Sequence, residues 1–288
     1  MTIQWYPGHM KKAKDEISEA IARIDVIIEM LDGRLPASSR NPVLDELRQK
    51  KPCIRLLNKR DLADPLTTSL WIREFEKYPA IRALDIEAHD LSLVKILPDL
   101  CRQLVTIPLK RPIRAMVVGI PNVGKSTLIN TLAGRKLAKV GNQPAITRHQ
   151  QLVQIPYGTG TMDISDTPGI LWPNLEDRKG AYRLAASGAI RDTAMDYEDV
   201  AMFAGEYLRR SYPDALISRF NLNELPETAA LLLEAIGRKR GCLLKGGRID
   251  MHKAAEILIH DLRSGKIGRI SFEKPQDLEP QITPTTEV

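Results

Sequence analysis

The segment GIPNVGKST, Gly119 to Thr127, has the residue types and spacing of a phosphate cradle. Gly119, Gly124, Lys125 and Ser126 satisfy GxxxxGKS. In that pattern glycines let backbone amides turn inward around phosphate oxygens, the lysine reaches the β and γ phosphates, and the hydroxyl ligands magnesium. Asn122, Val123 and Thr127 complete the nucleotide-facing stretch. Downstream, DTPG (Asp166 to Gly169) offers a carboxylate that can hold magnesium through water and an amide, at Gly169, that can face a γ phosphate. Between them GNQPAITRHQ carries Thr147, which can close over magnesium once a triphosphate is bound or serve as an ordinary loop threonine. Such a loop is ordered by the γ phosphate and released after hydrolysis. The chemistry these residues suit is in-line attack of water on the γ phosphorus, with Lys125, backbone amides and magnesium offsetting the growing negative charge.

A purine reader lies upstream of the cradle rather than downstream. NKRD occupies Asn58 to Asp61. The Asp61 carboxylate can accept from the adjacent N1–H and N2–H₂ of guanine, a pattern adenine lacks. Asn58 can brace the loop or meet the purine, and the Lys59 stem can lie over the ring. A solvated turn after a strand could carry the same four letters; the phosphate loop gives them weight. In LDIEAHD, Leu84 to Asp90, backbone near Ala88 can donate to guanine O6, although Glu87 is not the small residue usual beside such an alanine. No second NKxD follows Gly169, so guanine selection falls to the upstream copy.

One part is missing. Many GTPases place a water-orienting glutamine just after DxxG, and this chain has Ile170, Leu171 and Trp172 there. An imidazole can accept or orient a proton near neutral pH, which makes His9 of WYPGHM a candidate; packing beside Trp5 and Tyr6, or capping a helix, is its alternative role. The side-chain oxygen of Asn122 could ligand potassium near the phosphates, standing in for an arginine finger; a structural loop asparagine is its alternative role.

Around these motifs, apolar spacing predicts a helix from near Met10, a buried strand in IDVIIEMLD ending near Asp32, and a polar loop GRLPASSRNP. A short helix VLDELRQK, a strand CIRLLN, a helix TTSLWIREFEKY, a strand IRALDI, a helix DLSLVKILPDLCRQL, a strand RAMVVG and a helix KSTLINTLAG follow. The alternation predicts an α/β fold: a mostly parallel sheet, helices on both faces, and ligands beyond the carboxyl ends of the strands. After Gly169 the pattern turns helical. The expected division is a nucleotide domain over 1–177, a small helical domain over 178–273 and a disordered proline- and threonine-rich tail over 274–288.

The bulk figures agree with a soluble protein: 288 residues, 43% hydrophobic and 27% charged. Cys53, Cys101 and Cys242 lack metal-ligand spacing and read as reduced thiols in the cytosol. No run of eighteen apolar residues is present, and MTIQWYPGHMKKAK has no apolar core after its positive charges. A cytoplasmic location without stable membrane association is the expectation. The net charge of +6 fits a nucleic-acid partner. Arg238, Lys239, Arg240, Lys245 and Arg248 cluster around GCLLKGG, Lys253 lies beyond, and Arg263, Lys266 and Arg269 form a second group. Such cations can follow an RNA backbone or form a solvated face. Lys11, Lys12 and Lys14 could add a contact, and Arg34 and Arg40 could bind RNA or brace the His9 segment.

The order NKRD, LDIEAHD, GIPNVGKST, PAITR, DTPG resembles that of the circularly permuted GTPases. QWYPGHMKKA, LDGRLPASSRNP and RKRGCLLKGGRID…DLRSGKIGRISFE further resemble the ribosome biogenesis GTPase A family, over nearly the whole chain. The resemblance implies a P-loop GTPase sheet with circularly permuted motif order, followed by a small helical RNA-binding domain. It implies a GTP hydrolase using GTP/GDP, Mg²⁺ and K⁺ and stimulated by the ribosomal particle. It further implies binding to the large ribosomal subunit precursor, its rRNA and ribosomal proteins in a late assembly step, as a monomer off the ribosome. It assigns a catalytic part to His9 on docking; RNA or a ribosomal protein is the alternative source of the missing group. Ala145 departs from the family's usual glycine in PAITR but leaves Thr147 in place. A tRNA-acting or other translation-associated GTPase shares the same motifs, and so does a nucleotide-gated binding protein with negligible turnover.

Overall fold

The computed structural model describes residues 18–134, 152–158, 160–166 and 178–277. Six strands form one sheet: β1 (Val26–Asp32), β2 (Cys53–Asn58), β3 (Ile81–Asp85), β4 (Ile113–Gly119), β5 (Leu152–Tyr157) and β6 (Gly160–Asp166), in the order β3-β2-β1-β4-β6-β5. All pairings are parallel except β5 with β6. The central β1 and β2 are buried at every position, as expected of parallel strands covered on both faces. Alternate residues serve opposite layers. Ile28, Met30, Ile54, Leu56 and Val117 join one core, while Ile27, Leu31, Leu57, Met116 and Val118 join another with Trp71 and Phe75.

Helices α1 (Pro36–Ser39), α2 (Pro42–Arg48), α3 (Pro65–Glu76), α4 (Leu91–Val94), α5 (Leu97–Leu104) and α6 (Lys125–Ala133) lie between the strands. The helix expected near Met10 is described only at its end, helical from 18 to 22. GRLPASSRNP is not all loop: Pro36 starts the single turn α1. DLSLVKILPDLCRQL is two helices rather than one. Pro98 has no N–H to return to Val94, so the ladder breaks there and restarts as α5. Strand β5 lies outside the expected pattern; it shows solvent every second residue, with only Val153 and Ile155 buried.

The helical part comprises α7 (Arg178–Ser187), α8 (Tyr197–Ser211), α9 (Pro213–Phe220), α10 (Ala229–Arg240) and α11 (Met251–Arg263). Side chains of Asp196, Thr228 and Asp250 cap α8, α10 and α11 by accepting from first-turn amides. Val200, Leu208, Leu232, Ile236, Leu258 and Ile259 make a core of their own. Helix α7 joins both parts: Leu184 packs under the sheet, and Ala185 and Ala186 pack with the helices.

After α11 the chain returns to the sheet. Ile270 N donates to Leu62 O and Phe272 N to Arg34 O. Trp71 Nε1 donates to Glu273 O at 3.0 Å. The buried Glu273 carboxylate accepts from the amides of Ala37 and Ser38, from the Ser38 hydroxyl and from Arg183. Residues 264–273, expected within the helical domain, thus form a strap across the loops of the nucleotide domain. The tail opens on a short 3-10 turn, Pro275–Asp277; 278–288 lie outside the described residues.

Candidate nucleotide-binding site

Parallel pairing brings the upstream and downstream motifs to one edge. In register, Asp32 faces Asn58, Met30 faces Gly119 and Val117 faces Asp166. The carboxyl ends of β1, β2, β4 and β6 therefore lie side by side. Gly119, at φ +153°, passes so close to β1 that a Cβ would sit 2.5 Å from Met30 O. Gly124, at φ +106°, lies where a Cβ would sit 2.4 Å from Asn58 Nδ2. Both cradle glycines are thus demanded by conformation and by space.

Asn58 joins the halves. Its Nδ2 donates to Val123 O at 2.6 Å, and its Oδ1 accepts from Ala88 N at 2.8 Å. Of the two roles open to Asn58, this geometry fulfils bracing. The Ala88 amide, near which the donor to guanine O6 is expected, donates to Asn58 Oδ1 in this structure. Val123 has a buried side chain and contributes its carbonyl to the brace.

The purine loop turns at Lys59, with φ +63°, and closes through Leu62 N and Ala63 N onto Lys59 O. Asp61 is exposed at its tip. Lys59 Nζ pairs with Asp32 Oδ2 at 2.8 Å. Asp32 also accepts from Arg34 through Nε at 2.9 Å and Nη2 at 2.8 Å. Burial pushes the Asp32 pKa up, but the charges and hydrogen bonds of Arg34 and Lys59 outweigh it and hold the carboxyl well below the usual range. Arg34 is buried and also donates to Ser187 O at 2.9 Å. Burial leaves Arg34 little surface to offer RNA, and the His9 segment it could brace lies outside the described residues. Arg40 pairs with Asp45. Sequence reading missed the Asp32–Arg34 pair; its signal was a carboxylate at the last position of a largely apolar strand, with a cation two residues on.

At the phosphate end, Lys125 is only 8% exposed, and its Nζ donates to Gly119 O and Ile120 O, both at 3.0 Å. Ser126 and Thr127 open α6, whose amino end faces the cradle. Asn122 is left-handed at φ +58°, and its Nδ2 donates to Gly188 O at 3.2 Å. Asp166 closes β6; its side chain, like His9, Thr147 and Gly169, lies outside the described residues. Among the described residues no cluster of His, Cys, Asp or Glu could hold a metal. Magnesium carried by nucleotide phosphates takes one or two carboxylates from the protein and a phosphate-loop hydroxyl. The glycine cradle and Ser126 at the helix start match that need.

The basic groups divide. Arg238, Lys239 and Arg240 end α10, Lys245 and Arg248 flank the turn of a small hairpin bridged by Leu243 and Ile249, and Lys253 opens α11; all are exposed. Arg238 pairs with Glu234 and Lys253 with Asp250, while Arg240 lies 5.7 Å over the Phe220 ring. Lys266 is exposed near Asp261. Arg263 and Arg269 also make contacts within the protein. Arg263 donates to Ala185 O and Ala186 O and pairs with Asp192. Arg269 donates to Arg60 O and Ala63 O, holding the purine loop itself.

A phosphate cradle and a purine reader braced together at the carboxyl edge of a parallel sheet, in reversed chain order, define a circularly permuted GTPase. Residues 114–204 match the family described as 50S ribosome-binding GTPase. The chain is 44% identical to ribosome biogenesis GTPase A of Priestia megaterium, covering 97% of this chain and 99% of that one. It is 46% identical to that of Bacillus pumilus over 96% and 100%. The fold is similar to GDP-bound YlqF of T. maritima (TM-score 0.68, 28% identity, 91% of this chain and 100% of that one) and to the GNP-bound form (TM-score 0.65, 28% identity, 93% and 100%). The chain belongs to the ribosome biogenesis GTPase A family, and its activity is hydrolysis of GTP.

No helix among the described residues is long and apolar enough to cross a membrane.

Proposed function

We propose that this ribosome-assembly GTPase binds the immature large ribosomal subunit and its rRNA, hydrolyses GTP there late in assembly, and is stimulated by that particle. The observation that carries the RNA contact is the exposed basic end of the helical part. Lys239, Lys245 and Arg248 have no ion-pair partner among the described residues and sit on consecutive elements, α10, the hairpin and the approach to α11. Backbone and shape contacts to folded RNA suit a surface of this kind. The matched family's description as 50S ribosome-binding supports the large subunit as the bearer of that RNA.

In this reading Asp61 selects guanine, the Lys59 stem covers the ring, and Lys125 and the cradle amides hold the β and γ phosphates. Ser126, Thr147 and Asp166 would hold magnesium, which supplies positive charge to the phosphate oxygens. Asn122 would add potassium through its side-chain oxygen, and His9 would orient the water on the docked particle. Monomeric, cytoplasmic protein would cycle between free GDP and particle-bound GTP states.

Co-sedimentation with immature large subunits tests the proposal. Retention with a non-hydrolysable GTP analogue and release with GDP is expected. Equal retention with both nucleotides, or selective retention of tRNA instead, would overturn it.

A further inference from the structure

We propose that Asp32 is a positioning residue for the purine, acting through Lys59 and locked by Arg34. The inference rests on the reading that the Lys59 stem covers the guanine ring, and it adds what fixes that stem. Asp32 ends β1 beside Asn58 and is fully enclosed. Its Oδ1 accepts from Arg34 N at 3.0 Å and Nε at 2.9 Å. Its Oδ2 accepts from Arg34 Nη2 and from Lys59 Nζ, both at 2.8 Å. Two parallel bonds from one guanidinium fix the plane of a carboxylate. The remaining direction on Oδ2 is then fixed too, and Lys59 is the group that fills it.

The consequence falls on the lysine stem. Lys59 has the left-handed backbone that few residues other than glycine adopt, so its Cβ leaves the chain in an unusual direction. An ammonium pinned at one end and a fixed Cα at the other leave the methylenes stretched along one path. A free lysine stem would have to be ordered by the nucleotide at each binding event; a pinned one is already ordered. Arg34 carries the lock further, because its Nη2 also donates to Ser187 O at the end of α7. The purine side of the site is thereby set partly by the helical part of the molecule.

GDP affinity, read by displacement of a fluorescent GDP, tests this with four variants. Lys59→Met keeps the stem and removes the tether; Lys59→Ala removes both; Asp32→Asn removes the anchor; the fourth combines Asp32→Asn with Lys59→Met. Lys59→Met is expected to bind GDP about tenfold more weakly, the scale of ordering one long side chain. Its ratio of GDP to IDP affinity should stay that of the parent, because the stem does not read the N2 amine. Asp32→Asn should reproduce that loss, and the double variant should be no weaker than either single. Parental affinity in Lys59→Met, or losses that multiply in the double variant, overturn the proposal. If Lys59→Ala also binds like the parent, the failure lies in the ring-covering role itself. Should Asp32→Asn not fold, Lys59→Met alone decides, since it leaves the Asp32–Arg34 pair intact.

Discussion

Asn58 ties both ends of its amide to the protein: an N–H goes to the phosphate loop and the oxygen accepts from Ala88. Asn58→Ala leaves the buried Ala88 amide without an acceptor, which costs about 1–3 kcal/mol. Loss of stability of that size is expected in urea unfolding, with weaker GDP binding because the two loops are no longer joined. Gly124→Ala attacks the same joint from the other side. At φ +106° and 2.4 Å from Asn58 Nδ2, the added methyl is expected to cost about 1–3 kcal/mol in strain and to weaken GDP binding measurably. Asp32 sets a pH limit. Its folded pKa lies below the ordinary value of 3.8, so its contribution to stability is complete above that value and is lost as pH falls through the folded pKa. Near neutral pH it should add no pH dependence to unfolding. Asp61, Lys125 and Ser126 were legible because their chemistry needs those types at that spacing. Asp32 and Arg34 were not, because a charged pair at a strand end reads like the start of any loop. The bond from the Ala88 amide to Asn58 was not legible either, because a sequence shows that an amide exists, not which acceptor holds it.

Strands β1 and β2 read as apolar runs, and their placement follows from that, yet each buries a charge. Glu29 and Arg55 are register partners, both 1% exposed, joined at 2.9 Å. Asp45 takes the other side of the guanidinium at 2.6 Å, and Phe75 lies against it. Replacing Glu29 by Ala leaves Arg55 half-paired in the core, and a loss of about 3–5 kcal/mol is expected in chemical denaturation. Strand β5 is hard to see in the sequence because its alternating exposure leaves only two inward apolar residues between turns. The division of the basic elements sets up a contrast that one experiment reads. Lys239, Lys245 and Arg248 changed together to Ala should leave stability unchanged and lower the salt dependence of RNA binding by about 0.7–0.9 for each phosphate that is no longer neutralised. Arg263→Ala should instead destabilise, since its guanidinium closes the carboxyl end of α7. A salt slope unchanged by the triple variant would remove these elements from the RNA-facing surface.

Several links among the described residues tie the helical part to the nucleotide site. Asn122 reaches Gly188, Arg34 reaches Ser187, Arg269 grips the purine loop, and Glu273 caps α1 while its carbonyl holds Trp71. The sequence marks a change of texture after Gly169, which is a local property. It cannot show that the chain returns after α11, because the strap 264–273 has little periodicity and its register is set by partners two hundred residues away. Parts connected in this way should not unfold separately. Were the helical part an independent domain, calorimetry would give two transitions, and GDP would raise only the one belonging to the sheet. With α7 shared between cores and the strap hydrogen-bonded to the nucleotide part, a single transition raised as a whole by GDP is expected. Cutting the strap is the sharper form of the same test. Glu273→Ala orphans the Ala37 and Ser38 amides and leaves Arg183 without its carboxylate, so the single transition should fall by several degrees or divide into two, with Trp71 emission shifting at the earlier one. If the transition and the GDP response stay those of the parent, Glu273 does not couple the helices to the nucleotide, and the coupling runs through the remaining links of Arg34, Asn122 and Arg269.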